Sequence, residues 1–289
     1  MEIAHVAIIG VGLLGGSIGL GLKACSARCR IVGYGHRKQT LERAMEFGAI
    51  DGWCSDLGEA VADADLVILC TPVGLFEDML QKLGPALKAG TMVTDVGSTK
   101  RSVVRLAGKY LPGNCPFVGS HPMAGSEKRG VEYARADLFR GATCIVTPTA
   151  GSAAKAVASV QGFWELLGMR VVRLSPEEHD AAIADISHLP HVLAASLVAM
   201  QSHMALPLAG KGFLDTTRIA SGDAALWRDI LLDNRDNLKA SLDRLEKELA
   251  GLRKLLSPGK GEALTEWLAA AGQRRDDLMR EKFKELAGE

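Results

Sequence analysis

A histidine at position 121 is the first residue that reads as chemistry. It lies in Gly119-Ser120-His121-Pro122-Met123-Ala124-Gly125, directly after an apolar run and before a glycine-flanked loop. Imidazole titrates near neutrality, so at the carboxyl edge of a buried strand it can take a proton from a bound ligand. Ser98, in Asp95-Val96-Gly97-Ser98-Thr99-Lys100, ends a neighbouring run, where its hydroxyl can orient that ring. His188 and His191 are three apart, on one face if helical, although Pro190 between them favours a helix start or a kink. A metal would need a third ligand, and the pair lacks the His-Glu-x-x-His context, so no metal site is expected. Core or capping histidines are the ordinary alternative.

The second chemistry is anion binding by backbone. Gly10, Gly12 and Gly15 form GVGLLG between the first apolar run and a helical pattern. Gly10 suits a tight turn, Gly12 lets the backbone approach a pyrophosphate, and Gly15 permits close helix-to-strand packing; Leu13 and Leu14 then open the helix whose free N–H groups favour phosphate. The alternative is a turn rich in glycine for packing alone. An NAD site usually places an acid at the end of the second strand, but here Tyr34 is followed by Gly35, His36, Arg37 and Lys38, with no acid until Glu42. His36 and Arg37 suit a 2′-phosphate, so NADP is favoured over NAD; a plain solvated loop is the other reading. Thr71, Pro72 and Val73 follow the third long apolar run and line the same crevice by position.

These residues need a scaffold, and the pattern supplies one. Short runs rich in Val, Ile and Leu recur at 5–9, 30–34, 66–70, 92–94, 115–118, 143–146 and 170–173, separated by helix-patterned segments. The expected fold class is α/β: an N-terminal Rossmann-like, doubly wound, mostly parallel sheet over residues 1–175. From 176 to 289 strand signals stop and an all-helical domain is expected. Leu238, Leu242, Leu245, Leu249, Leu252 and Leu256 step by four and three along one helix face. Such a stripe packs either within a bundle or against another subunit, and the pattern does not choose.

The 289 residues carry 34 basic and 34 acidic side chains, which excludes a nucleic-acid binder working by bulk positive charge. The first 175 residues hold a small basic excess, suited to an anionic small molecule. The six cysteines show no C-x-x-C spacing and read as reduced, mostly buried thiols. No signal-peptide pattern and no apolar stretch near the roughly 18 residues of a membrane span is seen, so no membrane partner and a cytoplasmic location are expected.

Taken together, GVGLLGGS, LCTPV, DVGSTK, SHPMAGSEKRGVE, SHLPH and FLDTTRIASGDAALWRDI resemble the prephenate/arogenate dehydrogenase family of tyrosine biosynthesis. The resemblance runs from Ile3 to about Leu256, without a fused chorismate mutase or a further regulatory domain. It implies oxidative decarboxylation of a cyclohexadienol with hydride transfer to NAD(P). By resemblance, His121 is the catalytic base and Ser98 its hydrogen-bonding neighbour. Arg218 grips the ring carboxylate, His191 faces the substrate's side chain, and His188 belongs to the same substrate site. Ser126 and Glu127 sit at the pocket mouth, while Asp215 and Trp227 lie near Arg218, where the helical domains of two subunits meet. The family also implies a homodimer, in which case the leucine stripe is an interface. On the residues alone, a β-hydroxyacid dehydrogenase using Lys211, or a non-catalytic NADP-binding sensor, stays open.

Overall fold

The structure is a computed structural model, and it describes residues 3–125 and 128–287, the last five without their side chains. Strands β1 (His5–Ile9), β2 (Arg30–Tyr34), β3 (Gly52–Cys54), β4 (Leu66–Leu69) and β5 (Met92–Asp95) form a five-stranded parallel sheet in the order β3-β2-β1-β4-β5. The crossovers carry α1 (Leu13–Ala24), α2 (Lys38–Glu46), α3 (Leu57–Val61) and α4 (Phe76–Leu83), and α5 (Arg101–Tyr110) follows β5. A second sheet, β6 (Gly119–Pro122), β7 (Thr143–Thr147) and β8 (Arg170–Arg173), has β6 antiparallel to β7 and β7 parallel to β8. Helix α6 (Ala154–Leu166) joins β7 to β8.

The alternation along β1 shows why the parallel strands are apolar throughout. Val6 and Ile8 enter one buried cluster with Ile18, Ile31 and Ile68, whereas Ala7 and Ile9 enter another with Val67, Leu69, Phe76 and Leu80. A strand covered on both faces has no solvent side on which to place polar residues. Each fully buried Ile or Phe is worth about 1.5–3 kcal/mol of hydrophobic transfer.

The helical part starts at α7 (Pro176–Ile183), whose Ser175–Glu178 capping box sets its first turn. A turn of π-helix, Ala184–His188, leads without a break into α8 (Leu189–Ala199), and Pro190, which has no N–H to donate, lies directly after the turn where the regular i→i−4 ladder is already interrupted. Then come α9 (Lys211–Thr217), α10 (Ala224–Asp233), α11 (Arg235–Leu255) and α12 (Gly261–Ala287). The chain divides into two compact units, residues 1–237 and 238–289. The first unit therefore includes α7 to α10 as well as both sheets.

Three sequence expectations change. The apolar run 115–118 is not a strand: a single bridge at Phe117 reaches β5, and β6 begins at Gly119, because Gly119–Pro122 is the stretch in register with β7. His121 thus sits inside a strand, opposite Ile145. The run Pro176–Ala199 does reach the length and apolarity of a membrane span, with a mean hydropathy of 1.4. Alanine and β-branched residues raise that average, yet the same run carries His179, Asp180, His188 and His191, all buried within the first unit. Of the six cysteines, none in a disulfide, Cys115 and Cys144 are buried, Cys25 is exposed and the others are half-buried.

Two glycines of the first loop meet their expected steric demands. Gly10 adopts φ +99°, and a Cβ on Gly15 would fall against the Gly10 carbonyl oxygen and Ile8. A Cβ on Gly12 would meet nothing within 4 Å. Gly15→Ala is expected to lower unfolding free energy by about 1–3 kcal/mol, the range of overpacking. Gly12→Ala should leave stability at or above wild type, and urea denaturation of the two variants checks the contrast.

Candidate active site

The carboxyl ends of β1, β4 and β5 converge on one edge of the parallel sheet, as the topology of such sheets requires of a ligand crevice. Gly10 donates its N–H to the Tyr34 carbonyl at 2.8 Å, which holds the glycine turn against the end of β2. A Cβ on Gly10 would lie 3.0 Å from the Cys70 backbone and from Thr71, so the turn is wedged between β1 and the segment after β4. Helix α1 starts at Leu13 behind Gly12, with no acidic residue in its first turn, leaving its amide end electropositive. The buried Thr71 hydroxyl has no hydrogen-bond partner within the described residues. A turn, an open approach at Gly12, free helix amides and an unmatched hydroxyl together fit a dinucleotide. His36 and Arg37 are exposed at the end of β2, where His36 packs edge-on to Tyr34 and Arg37 starts α2. Pro72 is exposed and Val73 half-buried at the head of the turn that enters α4.

Asp95 organises the next strand end. Its carboxylate, fully buried, pairs with the equally buried Lys100 ammonium and accepts from the Gly97 N–H at 2.8 Å. Its other oxygen accepts from the Ser120 N–H at 3.1 Å, and the Ser120 hydroxyl donates back to the Asp95 carbonyl at 2.5 Å. One side chain thereby ties the loop that carries half-buried Ser98 to the strand that carries His121.

His121 is 8% exposed, and its Nδ1 lies 2.9 Å from Nε2 of His179. On its other side His179 reaches Asp180, Nδ1 to Oδ1, at 2.8 Å. The Asp180 carboxylate accepts from the Lys100 and Arg101 backbone N–H groups at 2.8 and 3.0 Å, so it sits on the amino end of α5. Asn234 donates to the Asp180 carbonyl at 2.7 Å and lies 3.2 Å from His188 Nδ1. Burial holds His121 well below its ordinary pKa, helped by His179, Lys100 and His188; burial also lowers His179. His188 is pushed down to about 4, chiefly by burial, with Asp180 pulling the other way.

The helical wall is built around an aromatic stack. The rings of His191 and Trp227 lie 3.6 Å apart and 12° from parallel, and His188 meets the Trp227 ring edge-on at 6.2 Å. Gly222 is required beside them, since a Cβ there would strike Trp227 and come within 3.2 Å of His191. Arg218 opens the 3-10 turn Arg218–Ser221, which packs on α8, and its side chain is exposed. Asp215 is exposed on α9. His188 Nε2 and His191 Nδ1 are buried polar atoms without a partner among the described residues. Ser126 and Glu127 lie outside the described residues. The flanking Arg129 pairs with Asp223, which also caps α10 by accepting from the Leu226 N–H.

The family profile described as "Prephenate dehydrogenase, nucleotide-binding domain" matches residues 18–173, and "Prephenate dehydrogenase, dimerization domain" matches 175–270. The chain belongs to the prephenate dehydrogenase family. It is 37% identical to the prephenate dehydrogenase of Bacillus subtilis over 94% of this chain and 76% of that one. With the cyclohexadienyl dehydrogenase of Zymomonas mobilis identity is 36%, over 91% and 92%. Among solved structures, prephenate dehydrogenase from A. aeolicus in complex with hydroxyphenyl propionate and NAD+ superposes with a TM-score of 0.90 at 34% identity, covering 96% of this chain and 99% of that one. Arogenate dehydrogenase from Synechocystis gives 0.82 at 30%, over 95% and 99%. The prephenate dehydrogenase fold is thus a Rossmann-like domain followed by helices, and the chain is an oxidoreductase with a nicotinamide cofactor.

Asp95, Lys100, His179, Asp180 and Asn234 are site-building residues that sequence reasoning did not assign. The first two lay inside a recognised motif, and adjacency of His179 to Asp180 was the single available signal for the others.

The four buried histidines, His121, His179, His188 and His191, make stability depend on pH. Each is neutral in the folded chain at a pH where the unfolded chain, with an ordinary value of about 6.5, already binds protons. Stability is therefore full above about 6.5 and falls as pH drops toward about 4, where His188 protonates in the folded state. His188→Gln should flatten that slope in urea titrations at stepped pH.

Proposed function

We propose that this protein is an NADP-preferring prephenate dehydrogenase, converting prephenate to 4-hydroxyphenylpyruvate. The observation that carries the reading is a buried, neutral imidazole, His121, on the strand that Asp95 ties to the Ser98 loop by accepting from the N–H groups of Gly97 and Ser120. The family relationship and the dinucleotide-shaped turn support it. Prephenate is a cyclohexadienol with a ring carboxylate and a pyruvyl carboxylate. A nicotinamide bound in the crevice supplies a hydride acceptor for the ring carbinol carbon. His121 takes the hydroxyl proton through the nitrogen that does not face His179. As the ring carboxylate leaves as CO₂, its bonding pair completes the aromatic ring, and the proton returns to the phenolate oxygen. Ser98 orients the hydroxyl. Arg218 binds the ring carboxylate, since a guanidinium can hold it with two parallel hydrogen bonds and fix its direction. His191 and Trp227 form a flat wall for the side chain, His188 supports that wall, and Asp215 lies on the helix that leads into Arg218.

Gly10, Gly12, Leu13, Leu14 and Gly15 would hold the pyrophosphate, and Thr71, Pro72 and Val73 would line the nicotinamide side. The NADP preference rests on His36 and Arg37 and on the lack of an acid between Tyr34 and Glu42. We read residues 1–175 as the dinucleotide domain and 176–289 as the helical domain that completes the site and dimerises. The dimerisation profile, the half-exposed leucines after Leu238 and the exposed Leu249 and Leu256 support a homodimer; the cytoplasm is the location we assign to it.

His121→Asn should reduce kcat by roughly 10²- to 10⁴-fold, the contribution of a positioned general base, with dinucleotide affinity unchanged in a fluorescence titration. Arg218→Ala should weaken the substrate by about 1.5–3 kcal/mol, the range of hydrogen bonds to charged groups, read as a raised KM. Absorbance assays with prephenate or arogenate and either coenzyme should show the fastest reduction with prephenate and NADP. Faster reduction of NAD would overturn the reading of His36 and Arg37, and a faster reaction with arogenate would reassign the substrate.

A further inference from the structure

The hydrogen bonds around His121 specify more than its location. Asp180 Oδ1 can only accept from His179 Nδ1, because the same carboxylate is already held as an anion by two α5 N–H groups. His179 must therefore carry its proton on Nδ1, which leaves Nε2 with a lone pair. That lone pair faces His121 Nδ1 at 2.9 Å, so the shared proton belongs to His121 Nδ1. The remaining nitrogen of His121, Nε2, is then bare.

We propose that Asp180 and His179 are positioning residues that hold the His121 imidazole in its Nδ1–H form, so that Nε2 is always presented to the substrate hydroxyl as a base. The proposal rests on the reading of His121 as that base and supplies what the reading lacks, the reason one tautomer prevails. A lone imidazole in water populates both forms, and the wrong one would offer an N–H where the reaction needs a lone pair. When His121 gains the hydroxyl proton at Nε2, the new positive charge lies at one end of a hydrogen-bonded line whose other end is a carboxylate.

The charges facing this line can be enumerated. From the loop before α5, the buried Lys100 ammonium opposes protonation of both rings, and it is itself paired with Asp95. From the π-helical turn, His188 also opposes protonation of His121. From β7, the buried Cys144 thiol lies beside the His121 backbone, and burial raises its pKa so that it brings no charge. Asp180 is the carboxylate in direct line with the rings. Burial alone would raise its pKa, but the His179 hydrogen bond and the two amides bring it below the ordinary range. Asp95 lies behind Lys100 and favours protonated His179 more weakly. Removing the Asp180 charge should therefore lower the pKa of the base.

Nitrogen-15 NMR of histidine-labelled wild-type enzyme reads the tautomer directly, and His121→Asn assigns its signals. At neutral pH the expected spectrum shows a protonated Nδ1 and a bare Nε2 for residue 121. A protonated Nε2 would overturn the proposal, whatever His121 contributes to turnover. Kinetics supply the second arm. Asp180→Asn should lower kcat by about 10²-fold, the scale of impaired general-base catalysis, and move the acid limb of kcat/KM to lower pH, with dinucleotide affinity retained. His179→Leu should lose activity similarly, and His179→Gln, whose amide oxygen can still accept from His121 Nδ1, should recover much of it. Wild-type turnover with an unmoved acid limb in Asp180→Asn, or equal activity in the Leu and Gln variants, would refute the role. If Asp180→Asn fails to fold, the His179 pair and the wild-type spectrum decide. Unchanged turnover in His121→Asn would mean that the base itself is misassigned, whichever tautomer the spectrum shows, which separates the two readings.

Discussion

The carboxylate of Asp180 lying across the amino end of α5 is the contact on which the rest of this site depends. It comes from the first helix after the sheets and satisfies two amides of a helix that follows the parallel sheet's last strand. A helix terminus leaves several N–H groups without intrahelical partners, and an anion there is favoured by both hydrogen bonding and the helix dipole. The same anion orders His179 and, through it, His121. One interaction thus docks α7 on the amino end of α5 and orients the His121 ring. Removing it would disturb domain packing and chemistry together, although neither is a consequence of the other.

Burial is the second constraint, and it acts with a definite sign. A histidine taken out of water loses its cationic form unless a carboxylate outweighs the burial. Burial opposes protonation of His121, His179 and His188, and the fixed positive charge of Lys100 adds to that at His121 and His179. A neutral imidazole is the species a dehydrogenase needs before oxidation. The Asp95–Lys100 pair supplies the fixed charge while keeping the Ser98 loop and β6 in register. Breaking a fully buried pair of this kind by removing one partner strands the other charge, which costs more than the pair contributes when intact.

Much of this was legible in the residues. Runs of Val, Ile and Leu bounded by Gly and Asp located four of the five parallel strands, because strands covered on both faces are apolar without alternation. The three residues of β3 were too few to make a pattern. The strand bearing His121 was placed four residues early, since Cys115-Pro116-Phe117-Val118 is more apolar than Gly119-Ser120-His121-Pro122, and antiparallel pairing with β7, a tertiary fact, decided the register. Gly10 and Gly15 could be read because steric needs of a turn and of helix-on-strand contact are local. Asp180 and His179 could not, because an acid and an imidazole in an ordinary helical stretch acquire meaning only from what α7 packs against.

In the proposed mechanism His121, Ser98 and Arg218 act on one small dianion. A crystal structure of the enzyme with oxidised dinucleotide and a non-reactive cyclohexadienyl or hydroxyphenyl dicarboxylate tests it most directly. The ring oxygen is expected within about 2.6–3.2 Å of His121 Nε2, the reach of a working base, and a carboxylate on an Arg218 guanidinium. A ligand whose ring oxygen turns away from His121, or whose carboxylates are held without Arg218, would contradict it.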